Sequence, residues 1–322
     1  AIDRQAVFDY LFFHLVPSPR TLFAGVSKLP PATCAEYAEG RLTLRRYWNP
    51  TFIEEGPGDA TTLAKELHET LRTGVLAAAP GAASGAFLSG GLDSSTVAGV
   101  LAGVSDRPAR TFSIGFGFPD YDELSYARIA NRRFGCEGHE YEIDAGDIVA
   151  SFTAIAEAYD EPFGNSSALP AYYCAKLALR HGVSHLLAGD GGDELFAGNS
   201  RYADQVVFER YGHVPAVLRG VLEAGLSVWP AALTHGVFRK AKGYVAKAKT
   251  PLPDRLETWN FLHQLGVAEV LDPGFLAAID ADGPLEHMRD VYRTAPARTD
   301  LNRLLFYDWR FTLADNDLRK VE

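Results

Sequence analysis

Phe87-Leu88-Ser89-Gly90-Gly91-Leu92-Asp93-Ser94-Ser95 is the stretch that decides the fold. Gly85 to Leu88 reads as a short buried strand, Ser89-Gly90-Gly91 as a tight turn, and Asp93 to Leu101 as a helix. Glycines without a Cβ let backbone amides approach an anion closely. The helix start adds unpaired N–H groups and the positive end of its dipole. The hydroxyls of Ser94 and Ser95 add donors, so the loop reads as a phosphate cradle. Asp93 would repel a phosphate unless a hard cation such as Mg²⁺ lay between them. The plainer alternative is a turn with a capped helix. The full SGGLDSS after a buried strand favours the cradle. No Gly-Lys-Ser/Thr follows, so it is not a Walker A loop, and it lacks the spacing of a dinucleotide fingerprint.

Outward from this stretch, strands and helices alternate. Strands are predicted at Ala109 to Phe116, His139 to Ile143 and Ser184 to Ala188, with helices at Thr61 to Leu76, Asp122 to Phe134, Ile148 to Tyr159 and Ala171 to Arg180. That alternation predicts an α/β fold, a parallel sheet with helices on both faces. Glu54 to Asp59 reads as a linker and Ala77 to Ala83 as an Ala-rich run. From Asn199 onward the pattern is helical: Val206 to Tyr211, Ala216 to Leu226, Val237 to Lys247, Leu256 to Leu265 and Leu301 to Leu313.

The second informative stretch runs Leu186-Leu187-Ala188-Gly189-Asp190-Gly191-Gly192-Asp193-Glu194-Leu195-Phe196-Ala197-Gly198. It is a strand entering a Gly-rich turn with carboxylates at Asp190, Asp193 and Glu194, suited to a hard cation. An acidic solvated turn is the plainer alternative. Beside the first loop it gains weight, because the C-terminal loops of a parallel sheet gather along one edge.

Composition narrows the class. The chain has 322 residues, 47% hydrophobic and 22% charged, which is ordinary for a globular protein. A net charge of −10 argues against a nucleic-acid surface. Three separate cysteines, Cys34, Cys136 and Cys174, read as small buried hydrophobes in a reduced, cytoplasmic setting. No apolar run reaches membrane-spanning length. Lys240, Lys242, Lys247 and Lys249 read as a solvated helix face.

SGGLDSS resembles the pyrophosphate-binding loop of the N-type ATP pyrophosphatases (PP-loop enzymes). The second stretch resembles the matching segment of glutamine-dependent asparagine synthetases and their β-lactam synthetase relatives. Asp160-Glu161-Pro162-Phe163 with Ser166 and Pro170, Thr111 to Phe116, Asp122-Glu123, Tyr126-Ala127 and His139 fit the same pattern. Residues 7–50 resemble the linker end of the glutaminase half.

The resemblance implies domains at 1–54 (amidotransferase tail and linker) and 55–322 (ATP pyrophosphatase domain, truncated). It implies that ATP phosphates lie on Ser89, Gly90, Gly91, Asp93, Ser94 and Ser95. Adenine would lie against Leu88 and Ile114, with Ala188 and Gly189 opposite. Asp93 and Asp193 would ligate Mg²⁺, and Asp190 and Glu194 would be catalytic. Asp190 stands where asparagine synthetases usually carry Glu, Ala197 where they carry Gly and Asn199 where they carry Tyr. The implied reaction adenylates a carboxylate, that of aspartate or another small molecule, glycan or peptide, for attack by glutamine-derived ammonia. Truncation at both ends is expected, with the glutaminase Cys before Ala1 and a pyrophosphate-contacting lysine beyond Glu322. A homodimer is left open. The rival classes are a tRNA-thiolating or deaminating enzyme and a non-catalytic nucleotide-binding module.

Overall fold

A computed structural model of the chain describes residues 1–321 except 55, 57, 80, 82, 119–121 and 228–236. The first helix, α1 (Arg4–Phe13), starts where the Asp3 carboxylate accepts hydrogen bonds from the Gln5 and Ala6 amides. An antiparallel hairpin follows, β1 (Thr33–Ala38) and β2 (Arg41–Arg46), paired from Thr33↔Arg46 to Ala38↔Arg41. Its two-residue turn, Glu39-Gly40, has φ of 51° and 77°, the conformation that matches the twist of a tight hairpin.

The sheet that positions the site comes next. Its elements are α2 (Ala60–Ala78), β3 (Ser84–Phe87), α3 (Leu92–Val104), β4 (Arg110–Gly115), α4 (Leu124–Phe134), β5 (Glu137–Glu142), α5 (Ala145–Ala158), α6 (Ala168–Arg180) and β6 (His185–Leu187). The strand order is β5-β4-β3-β6, all parallel, with Ala86 opposite Thr111 on one side and Leu187 on the other. The chain builds the sheet outward from β3 and then returns to lay β6 on β3's free edge. The order therefore reverses between β3 and β6, the place where open α/β sheets bind ligands.

Alternating side chains divide the core. Ala86 and Leu88 join Ala98, Leu101, Ala127 and Ala130 under α3 and α4. Phe112 joins Cys174, Leu177, Ala178 and Val183 under α6, with Phe87 packed against them. Helices thus cover both faces.

The remainder is helical: α7 (Gly192–Phe196), α8 (Ser200–Gly212), α9 (Ala216–Ser227), α10 (Val237–Lys249), α11 (Phe261–Leu265), α12 (Val267–Val270), α13 (Pro273–Leu276), α14 (Gly283–Arg293) and α15 (Asp300–Asp308). Two compact units result, Ala1–Glu54 with Asp193–Thr312, and Glu55–Gly192 with Leu313–Glu322. The first is built on Phe8, Phe12, Leu262, Met288, Leu304 and Phe311.

Several sequence expectations are corrected. The helix expected at Leu256 to Leu265 is two pieces, a 3₁₀ stretch Asp254–Trp259 and α11, because Asn260 turns extended and its side chain caps Leu262. The helix expected at Leu301 to Leu313 keeps α geometry over Asp300–Asp308 and widens to π turns over Trp309–Asp317. α2 forms as expected, yet Leu63, Leu67 and Leu76 are exposed and Val75 is its buried residue. Cys34 lies exposed in β1, so only Cys174 is a fully buried cysteine; burial pushes that thiol up to about 12. Lys249 is ion-paired with Glu223 at 2.8 Å rather than merely solvated. Glu55 and Pro57 of the expected linker, and Pro80 and Ala82 of the Ala-rich run, lie outside the described residues.

Candidate functional site

The loop Ser89–Gly91 leaves β3 at the reversal point of the sheet. Gly90 has φ of 95°, and a Cβ there would stand 2.6 Å from the Ala127 amide nitrogen of α4. Glycine alone fits that turn. The serines shape the loop: the Ser89 amide donates to Ser94 Oγ at 3.2 Å, the two hydroxyl oxygens lie 3.0 Å apart, and the Gly91 amide donates to Ser89 Oγ at 3.2 Å. Ser95 donates its amide to the Gly91 carbonyl inside the first helical turn. No side chain caps the start of α3, where Gly91 stands. The start of α3 is therefore a concentration of amide donors with no capping side chain set over it among the described residues.

The second loop closes on the first through glycines. A Cβ on Gly189 would lie 2.8 Å from both the Asp93 carbonyl carbon and the Ser94 nitrogen. A Cβ on Gly192 would lie 2.6 Å from Asp93 Oδ2. The Asp93 carboxylate thus lies directly against the backbone of the β6 loop. Ala188 and Gly189 are half-buried beside it.

The other expected residues fall in distinct settings. Leu88 is 1% exposed, with its side chain in the core, its amide bonded to the Phe112 carbonyl and its own carbonyl accepting from Ser113 Oγ. Ile114 is half-buried among the residues under α6. Asp193 and Glu194 begin α7; Glu194 is buried and, after Asp308, lies among the charges that raise the Arg201 pKa against its burial. An Asp193 Oδ1 would lie 2.5 Å from a Cβ on Gly198, so this short helix also turns on a glycine.

Asp190 has a partner that no motif announces. Lys320 Nζ lies 2.7 Å from Asp190 Oδ1 and 3.2 Å from Asp317 Oδ1. Burial works against the lysine's charge; the hydrogen bond and charge of Asp190, with help from Asp317, outweigh it and raise its pKa. Next to it Arg319 faces Glu161 at 3.6 Å and stands over the Phe163 ring. Asn165 donates to Asn316 and Asp317. The segment Asp160–Asn165 and the tail Leu313–Val321 are thereby tied to the β6 loop. The tail's only sequence signal is a charged run after an aromatic helix.

Among the described residues no three His, Cys, Asp or Glu side chains are grouped to hold a metal. Asp93 fits Mg²⁺ only if a ligand supplies further oxygens, the usual manner of Mg²⁺ with phosphates. No described helix is long and apolar enough to cross a membrane.

A parallel sheet whose reversal point carries a Gly-Gly loop, an uncapped helix start and a carboxylate-bearing second loop defines an α/β protein of the PP-loop class. The description of the asparagine synthase family matches residues 66–322, and the chain belongs to that family. The asparagine synthetase [glutamine-hydrolyzing] 1 of Bacillus subtilis (strain 168) is 27% identical over 328 residues, covering 100% of this chain and 49% of its own length. A putative asparagine synthetase [glutamine-hydrolyzing] 2 of Methanocaldococcus jannaschii is 32% identical over 233 residues, 68% of this chain and 43% of its own. A putative asparagine synthetase [glutamine-hydrolyzing] of Mycobacterium tuberculosis (strain H37Rv) is 29% identical over 230 residues, 68% and 34%. The chain spans about half or less of the length of these relatives.

Proposed function

We propose that the chain is the synthetase part of an ATP-dependent amide-forming ligase of the asparagine synthetase type. The observation that carries this reading is the closure of the Gly189–Gly192 loop on the uncapped start of α3, beside Ser89–Gly91. Amide donors aimed at one place suit the pyrophosphate portion of ATP, and fixed donors stabilise charge that develops there. Ser89, Gly90, Gly91, Ser94 and Ser95 are proposed to hold the phosphates, and Leu88, Ile114, Ala188 and Gly189 to border the adenine. Since the Leu88 side chain is in the core, its part is that of backbone and spacing.

In the proposed reaction an acceptor carboxylate oxygen attacks the α-phosphorus and the bond to the bridging oxygen breaks, so pyrophosphate leaves and an acyl-adenylate remains. Ammonia then attacks the acyl carbon, AMP departs with the bonding pair, and the nitrogen loses a proton. Mg²⁺ would offset phosphate charge, with Asp93 and Asp193 as its proposed ligands. Asp190, held by Lys320, and Glu194 are proposed to serve the acyl-transfer step. The acceptor is proposed to be the β-carboxylate of aspartate or the carboxylate of another small molecule, glycan or peptide, with ammonia derived from glutamine and a cytoplasmic setting.

The test is product analysis with the intact protein, ATP, Mg²⁺, ammonium and a panel of carboxylates that includes L-aspartate. AMP and pyrophosphate in equal amounts, with an amide product, are expected. ADP and phosphate instead, or nucleotide turnover that ignores every carboxylate, would rule the reading out.

A further inference from the structure

Beside the Asp190–Lys320 pair lies a groove of about 330 Å³ that the nucleotide loops do not account for. That volume is at the small end of organic-ligand pockets, roughly 300–1,000 Å³. It opens between α5 and α6, and its wall is made of Phe87, Ile155, Ala158, Ala171, Tyr172 and Ala175. Phe87 ends β3 two residues before Ser89, so the groove starts where the phosphate loop starts. The alanines leave the space: larger side chains at those helix positions would fill it.

The cationic part of the lining is Arg319 and Lys320. Lys320 is committed to Asp190 and Asp317. Arg319 is not fully committed. Its nearest carboxylate, Glu161, is 3.6 Å away, and its Nη1 is buried without a hydrogen-bond partner. A buried guanidinium donor without an acceptor is costly unless something supplies one. The Arg319 side chain lines the groove and keeps 18% of its surface exposed, so a carboxylate there can meet the exposed part of the guanidinium group.

The rest of the lining is poorly matched to free aspartate. Among the described residues the groove has no acidic side chain beyond Asp160 for an α-ammonium group, and most of its wall is hydrocarbon or aromatic ring. With Lys320 already committed, Arg319 can meet one carboxylate of an aspartate zwitterion, and the second loses its water against such a wall without gaining a partner. Apolar surface, in contrast, is stabilised there.

We propose that this groove is the acceptor subsite and that it takes a carboxylate borne on an apolar or aromatic body, with Arg319 meeting the carboxylate end. This rests on the ligase reading for the chemistry, though the binding claim can be tested apart from it. The probe is 3-phenylpropionate, titrated by calorimetry into the intact protein beside L-aspartate, with and without ATP. Tenfold or tighter preference for 3-phenylpropionate over aspartate is expected. A171L, and A175F at the exposed rim, should each weaken it by tenfold or more, with the ATP dissociation constant reporting that the nucleotide loop is intact. Tighter binding of aspartate, or binding of 3-phenylpropionate that neither variant disturbs, would overturn the proposal. ATP–pyrophosphate exchange separates the two ideas: its absence with every carboxylate would defeat the ligase reading and leave the measured affinities of the groove standing.

Discussion

Gly189 shows how much of the site depends on a missing methyl group. Its neighbours are backbone atoms of Asp93 and Ser94, which cannot rotate aside as a side chain could. Gly189→Ala should therefore push the β6 loop off the start of α3. The expected cost is about 1–3 kcal/mol of stability, the usual range for overpacking, read from urea midpoints. ATP affinity should fall with it; a variant that keeps full ATP affinity would separate loop closure from nucleotide binding. Asp190 illustrates the complementary point. Its charge is set against Lys320, 130 positions away in the sequence, and nothing at Asp190 itself advertises that partner. The strand, tight turn and helix start around Ser89–Gly91 are legible in sequence because they are local: glycine, serine and a helix start within nine residues. The Asp190–Lys320 and Glu161–Arg319 pairs are not, since they depend on where the tail returns.

At the scale of elements, the alternating half of the chain follows its hydrophobic pattern closely. β3, β4 and α4 form within two residues of their expected bounds, since buried strands and covering helices carry the strongest periodic signal. β1 and β2 carry no such signal. Every residue of β2 is exposed, and the pairing rests on backbone bonds and the Glu39-Gly40 turn. α14 does carry helical spacing, with Leu285, Met288 and Tyr292 at i, i+3 and i+7 amid charged neighbours, although it is not among the helices expected after Asn199. Contacts remote in sequence decide other segments, and Glu54 supplies a test. Its carboxylate accepts first from the Thr299 amide, then from Asn302, the Arg298 amide and the Thr299 hydroxyl, which together outweigh burial and bring its pKa from 4.5 to about 2. The folded value lies below the ordinary one, so this stabilisation is complete above about pH 4.5 and fades as pH falls toward 2. Glu54→Gln should be less stable than the parent at neutral pH, and the gap in urea midpoint should narrow through that acidic window. A gap that stays constant to pH 2 would show that the carboxylate charge does not anchor the Arg298–Asn302 turn.

Over the whole molecule, the chain leaves one compact unit at Glu54, builds another from Glu55 to Gly192, returns to the first at Asp193, and ends in the second from Leu313. Each unit has its own apolar core, so each can be probed by a deletion within it. Phe112 is 0% exposed beneath α6, and Met288 is 0% exposed among Phe8, Phe12 and Leu304. Truncating a buried Phe to Ala costs about 3–5 kcal/mol and Met to Ala about 2–5, by lost burial plus the cavity left behind. Native-state hydrogen exchange resolves such losses by region. Phe112→Ala should lower the opening free energy of amides in β3, β4 and β5 by that amount. Met288→Ala should do so for α14 and α15. Protection in β3–β5 that survives Phe112→Ala unchanged would mean that the sheet carrying the Ser89–Gly91 loop is held by something other than the packing of its α6 face.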